Sequence, residues 1–81
     1  MNSPGVKQLL ETLARELVLD PQRVSVEERE QSGRVRLVLR VARADRGRVI
    51  GRGGRTAAAL RTVLEVVARE RGIACEMEVL D

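Results

Sequence analysis

Arg48-Val49-Ile50-Gly51-Arg52-Gly53-Gly54-Arg55-Thr56-Ala57-Ala58-Ala59-Leu60-Arg61 is the stretch on which the reading of this chain turns. Three glycines within four positions join two runs of helical character. A chain that turns through glycines into a helix exposes that helix's first backbone N–H groups, which lack intrahelical partners and carry partial positive charge. Glycine lets a bulky anion such as a phosphate approach those groups closely. Arg52 at the tip and Arg55 in the first turn add formal charge. Other phosphate loops fit poorly. A Walker A loop needs Lys then Ser or Thr after its last glycine, and no such pair occurs. A dinucleotide fingerprint begun at Gly51 needs a small residue where Thr56 stands and a strand just before the loop, whereas a helical turn precedes it here.

Working outward, Asp45 is placed to cap a single helical turn, Arg46 to Ile50. Downstream, Leu60, Val63, Leu64, Val67 and Ala68 form the apolar stripe of a helix from about Arg55 to Arg71, with Gly72 as its stop. Ile73, Cys75, Met77 and Val79 then alternate with Ala74, Glu76, Glu78 and Leu80, which predicts a strand. Upstream, Arg34 to Val41 alternates as well. Val35, Leu37, Leu39 and Val41 fall on one face, and Arg34, Arg36, Val38 and Arg40 on the other. Gln31-Ser32-Gly33 reads as a turn and Arg23 to Glu28 as a preceding strand, so the two make an antiparallel hairpin. At the start, Ser3-Pro4 reads as an N-cap followed by the first helical residue. Val6, Leu9, Leu10, Leu13, Ala14, Leu17 and Val18 supply one apolar stripe. Asp20-Pro21 ends that helix, because a residue before proline avoids the α region.

The order is helix, strand, strand, short helix, helix, strand. A strand, a helical crossover and a further strand of one sheet run parallel. The expected fold class is therefore α/β, an α+β two-layer sandwich with a three-stranded mixed sheet under both long helices. With 81 residues the chain has room for one domain, residues 1–81. At that size a core is marginal without staples. The single cysteine, Cys75, allows no internal disulfide. With no histidine and no cysteine cluster, no metal site is expected. The core must be built from Val, Leu, Ile, Ala and Met, since Phe, Tyr and Trp are absent.

The same composition excludes function classes. Lack of histidine removes the Ser-His-Asp triad, the Cys-His pair and a histidine general base. Lack of aromatics removes base-stacking platforms. No apolar run is long enough to span a membrane, and Met1 to Pro4 has neither the basic start nor the apolar region of a signal peptide. A lone cysteine without an export signal fits a cytoplasmic location. Charge is the positive clue. From Arg34 to Arg55 eight arginines stand against one acid, Asp45, a net of +7 in a chain whose total is +3. A basic block inside an otherwise acidic chain is a footprint for a polyanion.

The central stretch resembles the I-G-x-x-G signature of KH domains, carried by Ile50, Gly51 and Gly54, with Arg52-Gly53 as the variable pair. The element order is similar to the type II KH fold, and the length and flanking segments are similar to the small single-domain bacterial KH proteins, the KhpA-like family. The resemblance covers nearly the whole chain, with the GxxG loop at 51–54. It implies a non-enzymatic module that holds single-stranded RNA in a narrow groove of about four nucleotides. Carried over, Gly51 and Gly54 permit close approach, and Arg52 and Gly53 project at the phosphates. Val49 and Ile50 help line the groove, though their apolar side chains equally suit the core. Arg46, Arg48 and Arg55 flank the loop as further candidates. Arg34, Arg36 and Arg40 read better as a solvated strand face.

The family is further associated with self-association, pairing with a larger multidomain KH protein, RNA chaperoning, and control of cell shape and division. No cofactor, small-molecule substrate or membrane partner is implied. Two departures stand out. Ala57 replaces the β-branched aliphatic that many KH domains carry three residues after the second glycine, which makes the groove shallower. Glu76 and Glu78 would oppose RNA if they faced the groove, and are expected to face away. Finally Ala59, Val63 and Val66 form an apolar shoulder beside the stripe of the second long helix. It suits a two-fold partner helix, and with it a homodimer.

Overall fold

The computed structural model describes residues 5–80, so the expected Ser3-Pro4 cap lies outside the described residues. Helix α1 spans Val6–Leu17, with Gly5 in extended backbone as its N-cap and the Gly5 N–H donating to Gln8 Oε1 at 3.0 Å. Val6, Leu10 and Ala14 are buried, and Leu9 and Leu13 pack partly against the same core. The helix stops short of the expected Asp20-Pro21 boundary. Val18 is already extended (φ −101°, ψ 163°), although its side chain stays buried. The cause is tertiary. The N–H groups of Leu19 and Asp20, which a longer helix would turn back on itself, donate instead to the two carboxylate oxygens of Asp45, each at 3.1 Å.

A 3-10 turn at Pro21–Arg23 leads into strand β1, Ser25–Gln31, which begins later and runs further than its local pattern indicates. Its end is set by a two-residue turn. Ser32 and Gly33 both have positive φ (53° and 78°), as a type I′ hairpin requires. Strand β2, Arg34–Arg40, returns antiparallel, with Gln31 opposite Arg34 and Ser25 opposite Arg40. Helix α2 is Arg46–Ile50, helix α3 is Arg55–Glu70, and strand β3 is Ala74–Val79. β3 pairs parallel to β2, giving the order β1-β2-β3 and the mixed sheet that the element order predicts. α3 closes with the Gly72 N–H on the Arg69 carbonyl and the Ile73 N–H on the Ala68 carbonyl, both at 3.0 Å, a Schellman pair that turns the chain into β3.

α1 packs on β1, α3 on β3, and the two helices touch each other. Between them and the sheet lie Leu10, Leu37, Leu39, Val49 and Leu64, all essentially inaccessible. Each leucine so buried contributes about 1.5–3 kcal/mol by area. The opposite sheet face is open and charged. Val38 stands on it, yet is only 2 % exposed. Its neighbours there are Arg36 and Arg40 along β2, and Glu27 and Glu78 across. They form the diagonal ion pairs Arg36–Glu78 and Arg40–Glu27, and their long stems cover the valine.

Candidate nucleic-acid interface

The loop between α2 and α3 has a backbone that other residues cannot easily follow. Gly51 sits at φ 78°, ψ 166°, Gly53 at φ 63°, ψ 17°, and Gly54 at φ 79°, ψ 13°. The Gly51 N–H closes α2 on the Gly47 carbonyl at 2.8 Å, and the Gly54 N–H returns to the Gly51 carbonyl at 3.0 Å. At Gly51 any side chain would collide with Thr56, whose Cβ and backbone N would lie 2.7 Å from an added Cβ. At Gly53 and Gly54 the same position is open. Arg52, Gly53 and Arg55 are exposed. No side chain caps α3 at Gly54, and the Arg55 N–H that opens the helix donates to the Arg52 carbonyl.

α2 is anchored from the other end. Asp45 does not cap it, contrary to the expectation from its position. A 3-10 turn, Arg43–Asp45, runs directly into α2, so residue 45 has near-helical backbone (φ −96°, ψ −5°) and not the extended form of an N-cap. The Asp45 carboxylate is 2 % exposed. It holds the Leu19 and Asp20 N–H groups and meets Arg48 Nε at 3.3 Å. One side chain thus ties the α1–β1 connection to the helix that carries the glycine loop. Val49, next along, is wholly buried in the core and presents no surface to a ligand, so the groove reading of that residue is corrected. Ile50 remains partly accessible. Ala57 also faces the core.

The fold sorts the basic block into two populations. Arg34 and Arg36 pair with Glu76 and Glu78 at 3.3 and 3.7 Å, and Arg40 pairs with Glu27 at 3.4 Å. Glu27 also bonds Arg29. That hydrogen bond, with Arg40 adding, holds the Glu27 carboxyl below its ordinary pKa. All of this lies on the open sheet face. Glu76 and Glu78 accordingly face away from the helical layer, while Cys75, Met77 and Val79 face the core. By contrast Arg43, Arg52 and Arg55 have no carboxylate within ion-pair distance among the described residues. The uncompensated charge therefore gathers around α2 and the glycine loop.

Beside α2 an open cleft of about 780 Å³ is lined by Arg23, Val41, Ala42, Arg43 and Arg46. Arg23 and Arg43 escaped the reading of the sequence. Arg43 lies inside the basic block and was legible as charge, whereas Arg23 reaches the cleft only through the tertiary fold. A smaller cleft of about 320 Å³ between α3 and β3 is lined by Arg61, Leu64, Glu65, Cys75, Glu76 and Met77. There Cys75 is half-buried on an edge strand. Its thiol pKa is pushed up by burial, with Glu28, Glu65 and Glu76 adding, so it is a weak nucleophile. Ala59, Val63 and Val66 lie on the outer side of α3, the valines 43 % and 52 % exposed.

The model of the KhpA/KhpB KH domain matches residues 7–79. The chain belongs to the KhpA/KhpB KH-domain family. It is 41 % identical over 77 residues to the RNA-binding protein KhpA of Aquifex aeolicus, covering 95 % of this chain and 98 % of that one. It is 48 % identical over 63 residues to the RNA-binding protein KhpA of Clostridium acetobutylicum, covering 78 % and 84 %. To the RNA-binding protein KhpA of Treponema pallidum it is 40 % identical over 75 residues, covering 93 % and 94 %. The KhpA/KhpB KH domain defines a nucleic-acid-binding family and not an enzyme family. No helix among the described residues is long and apolar enough to cross a membrane.

Proposed function

We propose that this chain binds single-stranded RNA without catalysing a reaction, as one KH unit. The Gly51–Gly54 loop clamps the sugar-phosphate backbone, and Arg46, Arg48, Arg52 and Arg55 supply charge around it. Ile50 provides the apolar contact for a base. The observation that carries this reading is the segregation of charge. The strand arginines are neutralised on the far face, while Arg52 and Arg55 stand uncompensated at a loop where Gly53 and Gly54 have open space beside the backbone. A clamp on the backbone reads little sequence. That suits a cytoplasmic RNA chaperone or post-transcriptional regulator of low specificity, with a link to cell shape and division in keeping with the family resemblance.

The test is the double substitution Arg52→Asp/Gly53→Asp. Aspartate tolerates the left-handed backbone at residue 53 better than most residues, and neither side chain enters the core. The variant is expected to keep the parent's circular dichroism, to melt somewhat lower for the left-handed residue at 53, and to lose RNA retention in filter binding. A folded variant that holds RNA as tightly as the parent would falsify the clamp.

A second reading stands beside it. The exposed Val63 and Val66, with Ala59, form an apolar shoulder that the sheet does not reach. It supports pairing of two copies through α3, or of one copy with a larger multidomain KH protein. Pairing would join two short grooves and raise avidity.

A further inference from the structure

The arginine cleft beside α2 is larger than a lone phosphate needs, and the glycine loop does not account for it. Arg23 and Arg43 enter from two different segments, one before β1 and one after β2, and converge with Arg46 over an apolar floor of Val41 and Ala42. Arg23 makes one exposed ion pair. Its Nε meets Asp20 Oδ2 at 3.2 Å, and the Asp20 N–H is in turn held by Asp45. That pairing occupies one of the five guanidinium donors and leaves the terminal nitrogens for a planar or tetrahedral anion. Arg43 has no carboxylate partner among the described residues. Arg46 opens α2 and Gly51 follows its last residue, a rise of about 7.5 Å along the helix. One nucleotide step of an extended strand spans a comparable distance.

We infer that the cleft is a second backbone subsite for the same RNA strand. It takes the phosphodiester and ribose that follow those held by the glycine loop, with Arg23 and Arg43 on the phosphate and Val41 and Ala42 under the sugar or base. The inference rests on the glycine-loop reading and extends it: the bound length exceeds the four nucleotides that one KH groove holds.

The experiment compares fluorescein-labelled oligouridylates of four and eight nucleotides by fluorescence anisotropy, on the parent chain, on Arg23→Gln/Arg43→Gln and on Arg43→Gln alone. A longer strand gains about fivefold merely from the number of registers a four-nucleotide site finds on it, so the parent must gain clearly more, on the order of 20-fold or greater. The double variant is expected to bind the tetramer as the parent does and to fall back to about the fivefold register gain. Its log–log salt slope for the octamer should be shallower by about 0.7–1.4, one or two phosphates' worth. Arg43→Gln alone should lie between. A parent gain no greater than the register factor, or a double variant that keeps the full gain, overturns the subsite while tetramer binding leaves the loop reading standing. A parent that binds neither strand overturns both.

Discussion

Gly51 and Asp45 are the residues whose chemistry tolerates least change, for opposite reasons. Gly51 holds a backbone conformation open essentially to glycine and has Thr56 where a Cβ would go. Gly51→Ala is expected to cost about 2–4 kcal/mol, strain plus clash, seen as a lowered urea midpoint. Gly53→Ala meets no obstacle and should cost only about 1–2 kcal/mol, the penalty of a left-handed residue. Equal losses at the two positions would show that conformation alone, and not the Thr56 contact, decides. Asp45 is a buried acceptor for two backbone donors from another part of the chain and a partner for Arg48. Asp45→Ala strands the two backbone N–H groups, leaves the half-exposed Arg48 to solvent, and is expected to cost about 2–4 kcal/mol. Asp45→Asn keeps one carbonyl acceptor and should cost less. Hydrogen exchange at Leu19 and Asp20 should accelerate in both variants. If those amides stay protected in Asp45→Ala, the bonds do not hold the connection.

At the scale of elements, α3 serves two masters with two faces. Its inner face, Ala57, Leu60, Leu64 and Ala68, is buried against the sheet and α1. Its outer shoulder, Ala59, Val63 and Val66, is not. Val63→Asp should therefore leave the monomer folded, since the residue is 43 % exposed and the helix-propensity penalty is a few tenths of a kcal/mol. In a two-fold helix pair the aspartate would sit beside its own symmetry mate without a partner, a cost of several kcal/mol. Light scattering at micromolar concentration is expected to show a dimer for the parent and a monomer for the variant. A folded Val63→Asp chain that remains dimeric would refute this interface. The hairpin illustrates the converse. β1 ends at Gln31 because a two-residue turn of positive φ dictates register, not because the side chains of Arg29 to Gln31 favour a strand.

At the scale of the whole molecule, the net charge of +3 understates what a polyanion meets. The open sheet face is balanced by glutamates, whereas Arg43, Arg52 and Arg55, around α2 and the glycine loop, have no carboxylate partner among the described residues. Single-stranded RNA is expected to bind more tightly than duplex of the same length, because a duplex cannot enter a narrow groove. If about three to five phosphates are neutralised, log affinity should fall with log salt at a slope of about −2 to −3.5. A slope near zero would exclude backbone contact as the source of affinity. With no aromatic residue to stack bases, affinity for one short strand should be modest.

Periodicity and turn chemistry, which act between residues close in sequence, were enough to determine the element order, the hairpin, the parallel third strand and the glycine loop. The same local logic set Val66 off the buried stripe but counted Val63 within it, at its border, and the fold leaves both exposed. It failed where a partner comes from far along the chain. Asp45 looked like a cap because its own neighbours suggest one, and only the fold brings it against Leu19 and Asp20, 26 and 25 residues away. Val49 carries the same apolar character whether it lines a groove or fills a core, and burial alone decided for the core. The eight arginines of the basic block read alike in sequence. The tertiary structure separated them, placing Glu76, 42 residues distant, against Arg34 and bringing Arg23 beside Arg43 and Arg46. Composition can count charges, but which of them stay uncompensated depends on which side chains share a face.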